Sequence, residues 1–179
     1  HRTYGFPVII TNCSNNYGPR QFPEKLIPHM IRCALAGDKL PIYGDGKNVR
    51  DWIHVEDHCF GVYLALIKGV PGQTYCFGGR EEKANIDLVK SLCKILDELS
   101  PKEGGGLYES QISFVTDRAG HDRRYAIDDS KAESELGFKR KYDFECKTIV
   151  LLSKTNVFST HTYFPLSENS FLNVKPLSY

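Results

Sequence analysis

The sequence predicts an α/β fold built on parallel strands, and three observations predict it. Short β-branched apolar runs, such as Pro7 to Asn12 and Gln73 to Phe77, are separated by longer segments of helical period. These runs lack a polar alternate face, which is the pattern of strands buried on both sides of a parallel sheet. The first of them leads into a loop rich in Asn, Tyr, Gly and Pro, at the strand edge where open α/β sheets place their ligands.

The elements follow in order. Pro7 to Asn12 comes after a Gly-Phe-Pro turn and continues into Asn12-Cys13-Ser14-Asn15-Asn16-Tyr17-Gly18-Pro19. From Glu24 to Ala36, Leu26, Ile27, Met30, Ile31, Ala34 and Leu35 recur at helical spacing, Gly37 supplies the stop, and Pro28 is tolerated only near the first turn. Leu40 to Tyr43 and Val49 to His54 flank Gly44-Asp45-Gly46-Lys47-Asn48, whose Asp-Gly step predicts a small hairpin. A helix from Glu56 to Lys68 ends at Gly69, and the strand Gln73 to Phe77 is closed by Gly78-Gly79. Asp87 to Leu99 reads as a helix N-capped by Asp87, Lys102 to Gly106 as a loop, and Ile112 to Thr116 as a strand. Asp129 to Leu136 is a short capped helix stopped by Gly137. Beyond Glu145 no period survives, so residues 1–145 are expected to form one domain and 146–179 a divergent, poorly specified tail.

At 179 residues and 41% hydrophobic content, one domain with a sizeable core fits. A net charge of +1 gives no long-range field for nucleic acid or anionic lipid, so anion binding must come from individually placed cations. No stretch approaches the roughly 20 apolar residues that span a bilayer. The six cysteines show no CxxC spacing and read as reduced and structural, which points to a cytoplasmic protein. The chain opens on His1-Arg2 and is expected to be a fragment.

Three clusters carry chemistry. A polar turn alone accounts for Asn15 to Pro19, but Lys25 close behind adds an ammonium to two amides, a set that holds sugar hydroxyls and a phosphate together. Arg50 and Asp51 are strand neighbours and point to opposite faces. If Arg50 faces a cleft, its planar fork suits a diphosphate, with Tyr43 on the paired strand free to stack on a base. Asp117 to Tyr125 packs three arginines, two aspartates and a histidine around Gly120. Internal ion pairs would be worth little there, whereas the glycine lets backbone approach a ligand. His54 and His58 lie four apart without further ligands at fitting spacing, so no metal is assigned. Lys139-Arg140-Lys141 reads as an exposed basic turn. No P-loop, G-x-S-x-G, HExxH or G-x-G-x-x-G is present, so no catalytic residue is assigned.

Over roughly residues 1–145 these motifs resemble the C-terminal, substrate-binding half of the dTDP-glucose 4,6-dehydratase family, among the extended short-chain dehydrogenases/reductases. The resemblance rests on Thr11 to Pro19, Phe22 to Pro28, Leu40 to Gly44, Arg50 to His58, Gly120 to Asp128 and Glu135 to Lys139. It implies the last strands of a NAD-binding Rossmann sheet plus a small mixed α/β substrate lobe. In such enzymes bound NAD oxidises the sugar at C4, water leaves across C5 and C6, and the hydride returns at C6.

By motif, the resemblance puts Asn16 at the nicotinamide end of NAD and Asn15, Lys25 and Leu26 along the substrate. Pro41, Ile42 and Tyr43 lie around the base, Arg50 on the diphosphate, and Asn85 near the nucleotide. Asp117, Arg118, Ala119, Gly120 and His121 surround the nucleoside and diphosphate. Ala119 replaces the family's usual proline. The glycine-rich NAD loop, the Thr-Asp-Glu group and the Tyr-x-x-x-Lys pair are expected before His1, as are the helices of a homodimer, so the isolated chain is expected not to turn over. Stripped of neighbouring strands, it is also expected to expose apolar sheet edges. Two other readings share these residues: a related UDP- or CDP-sugar dehydratase, epimerase or decarboxylase, and a non-catalytic nucleotide-sugar-binding module.

Overall fold

A computed structural model describes residues 1–144, and the expected tail after Glu145 lies outside the described residues. The elements are β1 (Ile10–Cys13), β2 (Asn15–Tyr17), α1 (Leu26–Ala36), β3 (Leu40–Tyr43), β4 (Val49–His54), α2 (Val55–Lys68), β5 (Thr74–Phe77), β6 (Glu82–Ala84), α3 (Asn85–Leu99), β7 (Ile112–Val115) and β8 (Arg124–Tyr125). A 3-10 turn, Tyr108–Gln111, precedes β7, and a helical turn, Ala132–Leu136, follows β8. The class is α/β with parallel pairing, as the sequence predicts. β1 pairs with β5, β2 with β4, β3 with β7 and β8 with β4, all parallel, while β6 joins β4 antiparallel.

The predicted hairpin is not formed. β3 pairs with β7, Tyr43 opposite Val115, and β4 pairs with β2, β6 and β8 instead. The Asp-Gly turn is present, with Gly46 N–H on the Tyr43 carbonyl and both Gly44 and Gly46 at positive φ. It redirects the chain between sheets because each flanking strand finds a partner distant in sequence.

β4 separates two cores. Trp52 enters the larger one, with Ile27, Met30 and Ile31 of α1, Leu88, Leu92 and Leu96 of α3, Tyr17 and Phe144. Its neighbour Ile53 enters the smaller one, with Leu64, Ala65, Tyr75, Phe77, Leu136 and Phe138. Consecutive residues of a strand point to opposite faces, so one strand supplies both cores.

α1 starts at Leu26, later than Glu24, and ends on Gly37 in the left-handed conformation. Pro28 falls in its first turn, where no N–H is required. α3 begins at Asn85, and Asp87 lies inside its first turn instead of capping it. The cap is tertiary: Asn85 N–H donates to the Asn48 carbonyl and Ile86 N–H to that of Gly46. Asp87 still places negative charge at the positive end of the helix.

β1 is shorter than predicted and is not buried on both faces, since Ile10 and Asn12 are exposed. It pairs only with β5 among the described residues and packs one side toward α2. The outer side of α2 is likewise apolar: Val62, Tyr63, Leu66 and Ile67 are exposed, as is Val70 just beyond it.

The basic run at 139–141 is not a free surface turn. Arg140 pairs with the buried Asp129, which also binds Arg80. The Lys141 and Tyr142 N–H groups donate to the buried carboxylate of Asp57 on α2. Five cysteines lie in the described region and all are free. Cys33 and Cys93 are buried in the larger core, where burial pushes the Cys93 thiol up to about 11, but Cys59 is exposed and fills no core.

Gly79 gives a direct test of the β4 arrangement, because a Cβ there would overlap the Trp52 carbonyl oxygen. A backbone atom inside a paired strand has no rotamer by which to yield. Gly79→Ala is expected to cost at or beyond the upper end of the about 1–3 kcal/mol typical of overpacking, read from the urea midpoint.

Candidate functional site

The structure stitches together the segments expected to surround a nucleotide. Asn48, buried at the end of the β3–β4 turn, donates through Nδ2 to the Asp122 carbonyl at 3.1 Å. Arg50 Nη2 donates to the same carbonyl at 2.9 Å, and Nη1 to the Val49 carbonyl at 2.8 Å. Val49 N–H donates to the Arg123 carbonyl. Asp117 lies under the β3 end, since a Cβ on Gly44 would sit 2.9 Å from its Oδ2. Pro41 to Tyr43, Arg50, Asn85 and Asp117 to His121 therefore border one region at the ends of β3 and β7 and the start of α3.

Within it, Tyr43 exposes 49% of its surface, so a ring face is available, and Ile42 is buried beneath it in the core. The sequence places Tyr43 on a strand paired with that of Arg50, but the structure does not: β3 pairs with β7 and is joined to β4 only through the 44–48 turn. Arg118, Ala119 and Gly120 are exposed, with Gly120 at a φ of 69° and open space where a Cβ would stand. His121 buries its ring and pairs through Nδ1 with Asp117 Oδ1 at 2.7 Å. That hydrogen bond, helped by the Arg118 N–H, holds the Asp117 carboxyl below its ordinary value.

The cations fall into two groups. Arg80, Arg123, Arg124 and Arg140 are each paired with a carboxylate. Arg50, Arg118 and Lys25 form no ion pair among the described residues, and the Arg50 fork rests on two carbonyl oxygens, which leave its charge uncancelled. Asp51, the next residue, is buried and accepts from the Gly79 and Glu81 N–H groups, so the two neighbours serve different faces as expected.

Asn15 and Asn16 lie on β2, opposite Trp52 and Ile53 of β4. At ~3.3 Å per residue, Asn15 is about two residues along from Arg50. Lys25, exposed, is the residue before α1, and Leu26 packs partly against the larger core that contains Tyr17. Asn16 is engaged differently. Its Nδ2 donates to the Ser14 carbonyl at 3.1 Å and to Cys13 Sγ at 3.2 Å, and its Oδ1 meets His58 Nδ1 at 2.8 Å.

Both Nδ2 hydrogens of Asn16 are thus engaged by the protein, while Oδ1 keeps a second lone pair. The sequence has no glycine-rich strand-to-helix turn, so the described residues include no phosphate cradle of the dinucleotide-binding kind. His54 is buried and accepts from Glu56 N–H as the N-cap of α2, so the His54/His58 spacing serves structure. Among the described residues no three His, Cys, Asp or Glu converge as metal ligands.

This arrangement has relatives. The GDP-mannose 4,6 dehydratase family matches residues 1–148. The chain belongs to this family. The dTDP-glucose 4,6-dehydratase of Xanthomonas campestris pv. campestris is 59% identical over 145 residues, 81% of this chain and 41% of that protein. The solved dTDP-glucose 4,6-dehydratase from Bacillus anthracis, in complex with NAD, superposes with a TM-score of 0.75 at 47% identity, over 85% of this chain and 45% of that one. DesIV, a dTDP-glucose 4,6-dehydratase from Streptomyces venezuelae with NAD and TYD bound, gives 0.76 at 45% identity, over 86% and 45%. The chain therefore spans about two-fifths of the length of the curated relative, and its α/β fold is that of the Rossmann-type dehydratases.

The electrostatics of the site's outer wall can be checked directly. Asp45 is lowered from 3.8 to about 2, chiefly by the hydrogen bond from Arg123, whose Nη1 lies 2.8 Å away. A depressed carboxylate contributes stability that is full above its unfolded value and is lost as pH falls through the folded one. The Asp45–Arg123 contribution should thus hold above 3.8 and vanish toward pH 2. A carbon-detected NMR titration should find Asp45 near the lower value, and in Arg123→Ala back toward 3.8.

Proposed function

We propose that this chain supplies the nucleotide-sugar-binding part of an NAD-dependent dTDP-glucose 4,6-dehydratase, which makes the 4-keto-6-deoxy sugar. The observation that carries the reading is Arg50: a guanidinium with no carboxylate partner among the described residues, fixed by two carbonyl oxygens beside an exposed tyrosine and an open glycine loop. A bound diphosphate would supply the missing anion, and the fork geometry favours two parallel hydrogen bonds to it.

The remaining residues bind and orient. Tyr43 offers its ring to the base, with Pro41 and Ile42 shaping the wall. Asn85 borders the nucleotide at the start of α3. Asp117 to His121 close over the nucleoside and diphosphate, with the Asp117–His121 pair holding the loop's shape. Asn15, Lys25 and Leu26 follow the sugar. Asn16 braces this wall from behind, its amide N–H groups held by the Ser14 carbonyl and Cys13 Sγ. NAD is the redox partner of the whole protein's reaction, accepting and returning the hydride. Its cradle and the acid/base residues belong to the portion of the family fold that this chain does not span, so no chemical step is assigned to residues here. The whole enzyme is taken to be a cytoplasmic homodimer; no helix among the described residues is long and apolar enough to cross a membrane.

The test is isothermal titration of dTDP and UDP into the purified chain. The expected result is saturable dTDP binding, tighter than UDP, weakened at least about tenfold in Arg50→Ala, as for a charge-assisted bond worth ~1.5–3 kcal/mol. Equal affinity for UDP would favour a UDP-sugar enzyme. No dTDP binding by a folded chain, or no effect of the variant, would overturn the reading.

A further inference from the structure

We infer that His58 is a positioning residue for the nucleotide-sugar site: its Nδ1–H locks the Asn16 amide, and through β2 this sets the direction of Asn15. The inference rests on the proposed function for its ligand but on separate geometry for its mechanism. Asn16 Nδ2 faces two acceptors, the Ser14 carbonyl and Cys13 Sγ, which fixes the amide orientation. Its Oδ1 must then be the atom 2.8 Å from His58 Nδ1. An amide oxygen only accepts, so the imidazole carries its proton on Nδ1.

β2 is three residues long, and among the described residues its ladder runs to β4 alone. Its ends are held by the Ser14 N–H on the Phe77 carbonyl and by buried Tyr17, and the Asn16 side-chain bonds fix the turn of the strand between them. Alternation puts Asn16 toward α2 and Asn15 on the other side with Tyr17, which is buried in the larger core. The Asn16 carbonyl also accepts from Gln21 Nε2 at 2.8 Å, so the loop running on toward Lys25 hangs from the same residue. His58 itself is held firmly, since the start of α2 is capped by His54 and tied through Asp57 to residues 141 and 142. The ring is half-buried against Phe77, and desolvation lowers its proton affinity, in keeping with a neutral donor.

Three variants separate this role from simple packing. Asn at position 58 returns an N–H near the Nδ1 position, Gln reaches instead toward Nε2, and Leu offers none. dTDP affinity should fall about fivefold to tenfold in His58→Leu and His58→Gln, and recover to within about threefold of the parent in His58→Asn, the effect of one hydrogen bond. His58→Asn should nevertheless melt below the parent, because it leaves a cavity. Long-range nitrogen NMR of the parent should show the Nδ1–H tautomer. Affinities that track melting temperature across the variants, or an Nε2–H tautomer, would overturn the inference. If the parent does not bind dTDP, the proposed function fails for this chain and the side-chain amide resonances decide. Asn15 resonances that shift in His58→Leu and return in His58→Asn support the lock, and unmoved resonances refute it.

Discussion

The strict alternation of side chains along Val49–His54 is the constraint on which the rest of the structure depends. Trp52 and Ile53 anchor different cores, Asp51 turns inward to hold the 79–81 loop, and His54 caps the helix that follows. A slip of one residue would exchange every one of these faces. The cost would include a buried carboxylate without its donors and a tryptophan without its pocket. Register at β4 is therefore fixed many times over, and with it the point at which Arg50 leaves the sheet.

The same logic sorts the charges. Buried carboxylates are committed to the fold: Asp51 to two backbone N–H groups, Asp57 to the chain at 141 and 142, Asp129 to Arg80 and Arg140. Removing any of these would leave donors unsatisfied in the interior, which costs more than the bond itself contributes. The surface pairs of Arg123 and Arg124 shape the wall around the 117–125 segment. Arg50, Arg118 and Lys25 stand outside this pairing among the described residues, so the site's positive charge is what the fold does not consume. A chain of near-zero net charge can in this way keep individual cations uncancelled.

Much of the fold was legible because its signals are local. The helices, the Gly37 and Gly137 stops and the strand before Gly78 all follow from period and from residues that tolerate special backbone angles. The hairpin failed because an Asp-Gly turn specifies a change of direction and not a partner; β7 lies some 70 residues from β3. β6 and β8 are too short to carry a period, and the cap of α3 comes from carbonyls of another loop, which is why Asp87 looked better placed than Asn85. The latches at Asp57 and Asp129 and the His58–Asn16 bond join residues far apart in the chain. The one hint in the sequence is His58 itself, whose spacing from His54 points to no partner 42 residues away. The candidate site residues are legible as types, through motif resemblance, while their relative placement follows only from the topology.

That division is clearest where identical or opposite neighbours sit on a strand. Asn15 and Asn16 are chemically the same, yet the two-residue period turns one toward the larger core's side and the other into a bond with α2. Arg50 and Asp51 repeat the pattern with opposite charges, one left with an open fork and the other sealed beneath the sheet. In each pair one residue fixes the strand and, with it, the direction of its neighbour. Such a doublet costs a single position and converts a flexible polar loop into a rigid one, which suits the orienting role proposed for Asn15 and Arg50. Motif resemblance assigns both asparagines to ligands, and the topology adds a bracing role for Asn16.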